Sequence, residues 1–323
     1  MSITRRIALA LPAATIAPHA RAQPAWAPQR SIRMVVPYAP GGGADTTARL
    51  VSGPMGAALG QAVAVENRGG AGGTIGAAEV ARAAPDGHTV MLDALGHVAA
   101  PALMPRLPFD YATAFAPISQ VTVLPQMLIV PNTAPYTTLG AFLEHARARP
   151  GRLTYGSSGN ATSTHLAAAQ LLRRAGVEME HVPYRGGGPA LQDLLGGRLT
   201  FVFGTVSSST QLVRDGQVRA LGVSTARRIA ALPDVPTIAE QGFPGYELNE
   251  WNGLYAPANT PAAAVSALHA ALLRALAAEG VKERLAGMGA EAVGSDPTAF
   301  AAFLTQQRQL MGDLIRKTGI RLE

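Results

Sequence analysis

Short apolar runs recur along the chain at 32–38, 62–67, 88–95, 126–131, 152–156, 180–184, 199–204, 218–225 and 248–256, and the segments between them carry helical spacing. Runs of this length rich in Val, Ile, Leu and aromatics predict buried strands. After Asp45 the apolar positions Ala48, Val51, Met55 and Leu59 predict one helix face, and Asp45 and Arg49 stand four apart in the favourable acid-first order. Val265, Leu268, Leu272 and Leu276 predict a second stripe; Phe300, Phe303, Leu304, Leu310, Met311, Leu314 and Ile315 predict a third, after the start signal Asp296-Pro297. Strands alternating with helices predict an α/β chain with largely parallel sheets. The turn-rich stretches Val130-Pro131-Asn132 and Gly242-Phe243-Pro244-Gly245-Tyr246 are the expected crossings between two lobes. Residues 23–130 with 247–323 then form a discontinuous first domain, and 131–246 an inserted second one, a topology that permits hinge closure about a ligand.

Two glycine-rich turns punctuate this pattern. Pro40-Gly41-Gly42-Gly43-Ala44-Asp45-Thr46 follows the run 32–36, and Gly156-Ser157-Ser158-Gly159-Asn160-Ala161-Thr162 follows the run 152–155. Each precedes a helical run. A strand that feeds a glycine turn and a helix start collects unpaired backbone N–H groups at the positive end of a helix dipole. Anions bind there without a cationic side chain. One glycine suffices for a tight turn; three in succession point to close approach of a ligand. Two such turns, one per lobe, predict a clamp on one small carboxylate. Ser163 or Thr162 also fits a plain helix cap.

The N-terminus changes the charge picture. Arg5-Arg6, the apolar stretch Ile7 to Ala17 and the small-residue motif Ala20-Arg21-Ala22 predict an export signal over residues 1–22, general secretory or twin-arginine, and a periplasmic location. Its loss removes three of the six net positive charges. What remains suits anionic solutes, and no basic cluster interleaved with aromatics predicts nucleic-acid binding. The chain has no cysteine, which excludes disulfides and thiolate chemistry. Monomer is the default expectation, and no cofactor is called for.

Enzyme motifs fail one by one. Neither turn continues into Gly-Lys-Ser/Thr, and Gly70-Ala71-Gly72-Gly73-Thr74-Ile75-Gly76 misses the dinucleotide spacing by one residue. A nucleophile elbow on Ser158 needs glycine where Asn160 stands. His165, beside the second turn, has no metal-ligand neighbours at suitable spacing. Asp45 reads most simply as a helix cap. An exported hydrolase using Ser157 or Ser158, and a sensing adaptor for a signalling receptor, stay open as rival classes.

The same residues resemble a known family over essentially the whole chain after the signal. The carriers are Ile32 to Asp45, Val65 to Gly76, Pro85-Asp86-Gly87-His88, Tyr155 to Gly159, His181 to Gly186, Leu194 to Gly197, Leu232 to Thr237 and Trp251 to Leu254. In order, they resemble the Bug (Bordetella uptake gene) family, the extracytoplasmic receptors of tripartite tricarboxylate transporters. The resemblance implies a two-lobed type II periplasmic-binding-protein fold, no catalysis, a small organic carboxylate held between the lobes and membrane transporter subunits as partners. By position it points to Tyr38, Pro40, Gly41, Gly42, Gly43 and Asp45 in the first turn, and to Ser157, Ser158, Gly159, Asn160 and Thr162 in the second. Thr74, Tyr184, Gly204, Thr205 and Trp251 would complete the cleft, although Trp251 fits a domain core equally well. Many relatives carry an acid where this chain has Gly204-Thr205; its absence weakens an amino-acid ligand. Ala168-Ala169 also replace the Gly-Glu that relatives often carry, a change that bears on packing.

Overall fold

The computed structural model describes residues 26–104, 106–184 and 186–320, so the expected signal over 1–22 lies outside the described residues. The strands are β1 (Ile32–Val36), β2 (Val63–Asn67), β3 (Thr89–Ala94), β4 (Phe115–Leu124), β5 (Gln126–Pro131), β6 (Thr154–Ser157), β7 (Glu180–Pro183), β8 (Phe201–Thr205), β9 (Val218–Val223), β10 (Glu250–Pro257) and β11 (Glu291–Ala292). The helices are α1 (Gly43–Leu59), α2 (Thr74–Ala81), α3 (Gly96–Leu103), α4 (Leu139–Arg147), α5 (Ser163–Ala175), α6 (Gly187–Leu195), α7 (Val206–Arg214), α8 (Ala262–Ala277), α9 (Glu279–Gly287) and α10 (Pro297–Thr318). All nine apolar runs of the sequence fall on strands. β4 and β11 were not anticipated: β4 carries Pro117, Ser119, Gln120 and Thr122, and it earns its place by pairing with β10 along its length.

Two sheets result, with strand orders β11-β4-β10-β3-β1-β2 and β7-β6-β8-β5-β9. The α/β class with two helix-flanked sheets holds, but the expectation of largely parallel strands does not. β1 pairs in parallel with β2 and β3, and β6 with β7 and β8. The pairings made by β4, β5 and β10 are antiparallel. The physical reason is the lobe crossing itself. A chain that leaves one sheet for the other and returns runs its crossing strands against the local βα units. It leaves the first sheet after Leu124 and enters the second at Gln126, ahead of the stretch around 130, and it re-enters the first at Glu250.

One continuous apolar cluster joins the two halves. α10 packs on α3 and β4 and reaches α5 of the second sheet. Phe300, fully buried, stands edge-on to Trp251 at a centroid distance of 6.2 Å and tilted against Tyr255 at 5.2 Å. α1 lies along α8 on the opposite side of the first sheet.

In the second lobe, a histidine pair braces the turn after β6. The rings of His165 on α5 and His181 on β7 stack at 3.7 Å, with Tyr155 stacked on His181 at 5.0 Å. His165 Nδ1 accepts the N–H of Ala161, a non-glycine residue in left-handed backbone (φ 59°). His181 Nε2 meets Ser157 Oγ at 2.7 Å. Burial lowers His165 to about 3, with His181 adding to the effect, and lowers His181 to about 4. Both lie below the ordinary 6.5, so the unfolded chain binds protons more readily. This contribution to stability is complete above about pH 6.5 and is lost as the pH falls toward 4. Thermal unfolding followed from pH 7.5 to pH 4 will therefore show a falling midpoint, and H181Q will show a shallower slope than the parent chain. Parallel slopes would remove the pair from the account.

Candidate functional site

A cavity of about 600 Å³ opens between the two sheets. Four strand-to-helix turns line it: β1 to α1 at Pro40–Ala44, β3 to α3 at Ala94–Gly96, β6 to α5 at Ser158–Ser163 and β7 to α6 at Gly186–Gly187. Within each sheet the strands feeding these turns run parallel, β1 with β3 and β6 with β7, so their carboxyl ends, and the helix N-termini that follow, face one space. Ligands of open α/β sheets sit at such carboxyl ends. None of the four helices has a side-chain hydrogen bond capping its N-terminus. α2, α7, α8 and α9 are likewise uncapped, so it is the shared cavity that distinguishes these four.

Of the residues singled out from sequence, Tyr38, Pro40, Gly41, Gly42, Gly43, Ser158, Asn160 and Thr162 line this cavity. In the first turn, Gly41 takes left-handed backbone (φ 84°) and donates its N–H to Asp45 Oδ2 at 2.9 Å. Asp45 is buried and also accepts from Arg49 at 3.0 Å and Asn67 at 2.9 Å. Burial pushes its carboxyl up, but Arg49, Gly41 and Asn67 outweigh burial and hold it below the ordinary carboxylate range. Asp45 therefore braces the turn from behind and does not face the cavity. The first-turn N–H groups of α1, at Gly43 and Ala44, have no intrahelical carbonyl to bind. The ring of Tyr38 forms a wall, its hydroxyl committed to Asp93 at 2.7 Å. A Cβ on Gly96 would stand 2.5 Å from that hydroxyl, which explains a glycine there.

The second turn departs from the expected open row of donors. Ser158 N–H binds Thr164 Oγ1 at 3.0 Å, Gly159 N–H binds Ser157 Oγ at 3.2 Å, and Ala161 N–H is taken by His165. The turn is thus self-braced, and the unpaired donors lie at the first turn of α5 and on the Asn160 side chain. Ser157 is buried beneath it. Its hydroxyl sits 2.9 Å from the Gly159 carbonyl and 2.7 Å from His181 Nε2, and so is engaged on both sides within the turn. Gly159 supplies the positive φ, 139°, that the bend requires.

The remaining sequence candidates lie away from the cavity. Thr74 donates to the Ala71 carbonyl at 2.9 Å, and Gly72 reaches the cavity instead. The Tyr184 hydroxyl donates to Asp193 at 2.6 Å. Gly204, the penultimate residue of β8, stands against Ser209, where a Cβ has no room, and Thr205 turns its hydroxyl to Ser207 and Ser208. Trp251 is buried edge-on against Phe303 at 5.2 Å. A strand alternates its faces, so with Trp251 in the core, its neighbours Glu250 and Asn252 line the cavity.

Glu250 escaped sequence reasoning, as did the β3–α3 and β7–α6 turns. Both turns follow the strand–glycine–helix pattern that singled out the other two, at Gly96 and Gly186-Gly187. The Glu250 carboxylate accepts from Leu95 N–H at 3.0 Å, its neighbour Trp251 N–H at 3.1 Å and Ser163 Oγ at 2.8 Å. Burial raises its pKa against these three donors, and nearby Asp93 adds to the rise. Among the described lining residues it is the single charged one.

Comparison with known proteins agrees with this architecture. Residues 47–320 match the family model described as tripartite tricarboxylate transporter family receptor. A Pseudomonas protein from the tcbD–tcbE intergenic region is 41% identical over 289 residues, covering 89% of this chain and 86% of its own. The periplasmic binding protein BugD superposes with a TM-score of 0.80 at 34% identity, covering 92% of this chain and 100% of its own. MatC from Rhodopseudomonas palustris, with bound malate, superposes at 0.79 with 34% identity over 89% of this chain and 99% of its own. The chain thus belongs to the tripartite tricarboxylate transporter receptor family, as a Bug-type solute-binding protein and not an enzyme.

Proposed function

We propose that this receptor takes a small organic carboxylate into the cavity between its sheets and delivers it to the membrane subunits of a tripartite tricarboxylate-type transporter. The observation that carries the reading is the convergence of four uncapped helix N-termini on one cavity. A cavity of about 600 Å³ accommodates a small acid with ordered water, and neutral donors stabilise a carboxylate without burying a guanidinium. Malate in MatC, a relative of the same architecture, supports the ligand class. In this reading Gly42, Gly43 and Ala44 face one side of the carboxylate, and the α5 start with Asn160 and Thr162 the other. The residues carried by sheet β11-β4-β10-β3-β1-β2 form one lobe and those of the second sheet the other, hinged near Pro125 and ahead of Glu250. The protein acts as a monomer in the periplasm, reached through the signal at 1–22.

Two experiments test this. Gly42 has ordinary backbone (φ −76°), and a Cβ there would meet only the Ala39 carbonyl, at 3.7 Å. G42L is therefore expected to keep the parent fold by circular dichroism. Its calorimetric affinity for the best ligand of a carboxylate screen should fall by at least about a hundredfold, the cost of about two charge-assisted hydrogen bonds. Undiminished affinity would exclude the first turn from the site. Mass spectrometry of the protein recovered from periplasmic extract should give a chain beginning at Gln23; an intact Met1 there would refute the signal.

A further inference from the structure

A cavity proposed to hold a carboxylate carries, among its described residues, one charge, and that charge is negative. Glu250 does not stand there loosely. Its Oε1 is taken by the N–H groups of Leu95 and Trp251, and its Oε2 by the hydroxyl of Ser163. Leu95 precedes α3 on the first sheet, and Ser163 opens α5 on the second, so the carboxylate is held from both sides of the cavity. Fixed in this way, it cannot swing away from an incoming anion. Oε1 has both lone pairs occupied, while Oε2 keeps one, beside the cavity that Glu250 lines.

Resting on the receptor reading above, we propose that Glu250 is a specificity-determining residue, and that it selects carboxylates whose far end carries a hydrogen-bond donor over dicarboxylates. The carboxylate end of the ligand takes the free N–H groups of Gly43 and Ala44 at the α1 start and the Asn160 amide, not the donors at Leu95 and Ser163 that hold Glu250. A donor elsewhere on the ligand then meets the Glu250 acceptor, which is already fixed by Leu95, Trp251 and Ser163. A hydroxyl or an ammonium donates to the open position on Oε2, and the bond is charge-assisted, stronger than one between neutral partners. A second carboxylate has nothing to donate there and brings a like charge beside Glu250, which repels it. The buried carboxylate of Asp93, behind Tyr38 and Ala94, adds charge of the same sign.

The test is titration calorimetry of the full chain at pH 8, chosen to favour the ionised form of Glu250, whose pKa burial raises. The probes are matched in length: succinate, 4-hydroxybutanoate and 4-aminobutanoate, then glutarate with 5-aminopentanoate and adipate with 6-aminohexanoate. At the length that binds, the donor-ended acid should bind at least about tenfold more tightly than its dicarboxylate. The hydroxyl and amino arms show which donor is preferred. E250Q keeps the side-chain shape and an acceptor for Leu95 while removing the charge, and should bring the ratio within about threefold. S163A removes one brace, keeps the charge and should retain the preference. A dicarboxylate preference in the parent chain, or a ratio unchanged in E250Q, overturns the role of Glu250 while leaving the receptor reading intact. Should E250Q fail to fold, the parent ratio and S163A decide. Failure of every carboxylate at every length overturns the receptor reading and this inference together.

Discussion

Everything at the site depends on strands that end where helices begin. In a parallel βα unit, the backbone leaves the strand's carboxyl end and must turn into a helix whose first N–H groups have no internal acceptor. Here β1, β3, β6 and β7 end this way around one cavity, two from each sheet. The unmet donors of four helices therefore collect in one place without any charged side chain to hold them. Buried polar groups left unpaired are costly, and the chain limits that cost by bracing the turns from outside. Asp45 takes the Gly41 N–H, and Thr164, Ser157 and His165 take those of Ser158, Gly159 and Ala161. The donors left over are those that face the cavity.

The bracing groups are themselves set by burial. His165 can accept from Ala161 only while its Nδ1 is unprotonated, and the apolar stack of Tyr155 and His181 keeps it so. Ser157, buried and engaged with both the Gly159 carbonyl and the His181 imidazole, belongs to the same scaffold.

Much of the fold was legible because its strands are short and apolar and its helices carry stripes. The nine runs from 32 to 256 needed only their periodicity. β4 was not legible: Ser119, Gln120 and Thr122 interrupt its apolar pattern, and it is made a strand by β10 beside it and by contacts such as Ser119 to the Ser295 carbonyl at 2.7 Å, 176 residues on. Strand direction was hidden for a related reason. Periodicity reports which residues are buried, whereas parallel or antiparallel pairing is decided where the chain crosses between lobes. At the site, glycine spacing revealed two turns but gave no account of which N–H groups the chain itself consumes. That depends on contacts such as Ala161 with His165, which need the helix to be in place.

Trp251 and Glu250 expose the sharper limit. Large aromatics attract attention as cleft walls, yet an indole buries much apolar area and gains most where Phe300 and Phe303 surround it. Once Trp251 turns inward, the alternation of the strand sends Glu250 and Asn252 to the cavity. An acid lining the proposed anion site then ceases to be an anomaly. Four helix N-termini supply more positive potential than one carboxylate ligand neutralises, and Leu95 N–H and Ser163 Oγ spend part of it on Glu250. On the proposed receptor reading, the ligand meets an asymmetric field, donor-rich at α1 and acceptor-rich at β10. A symmetric molecule matches only half of it. Selectivity in such a cavity follows from where the chain has already satisfied its own donors, as much as from the donors it leaves free.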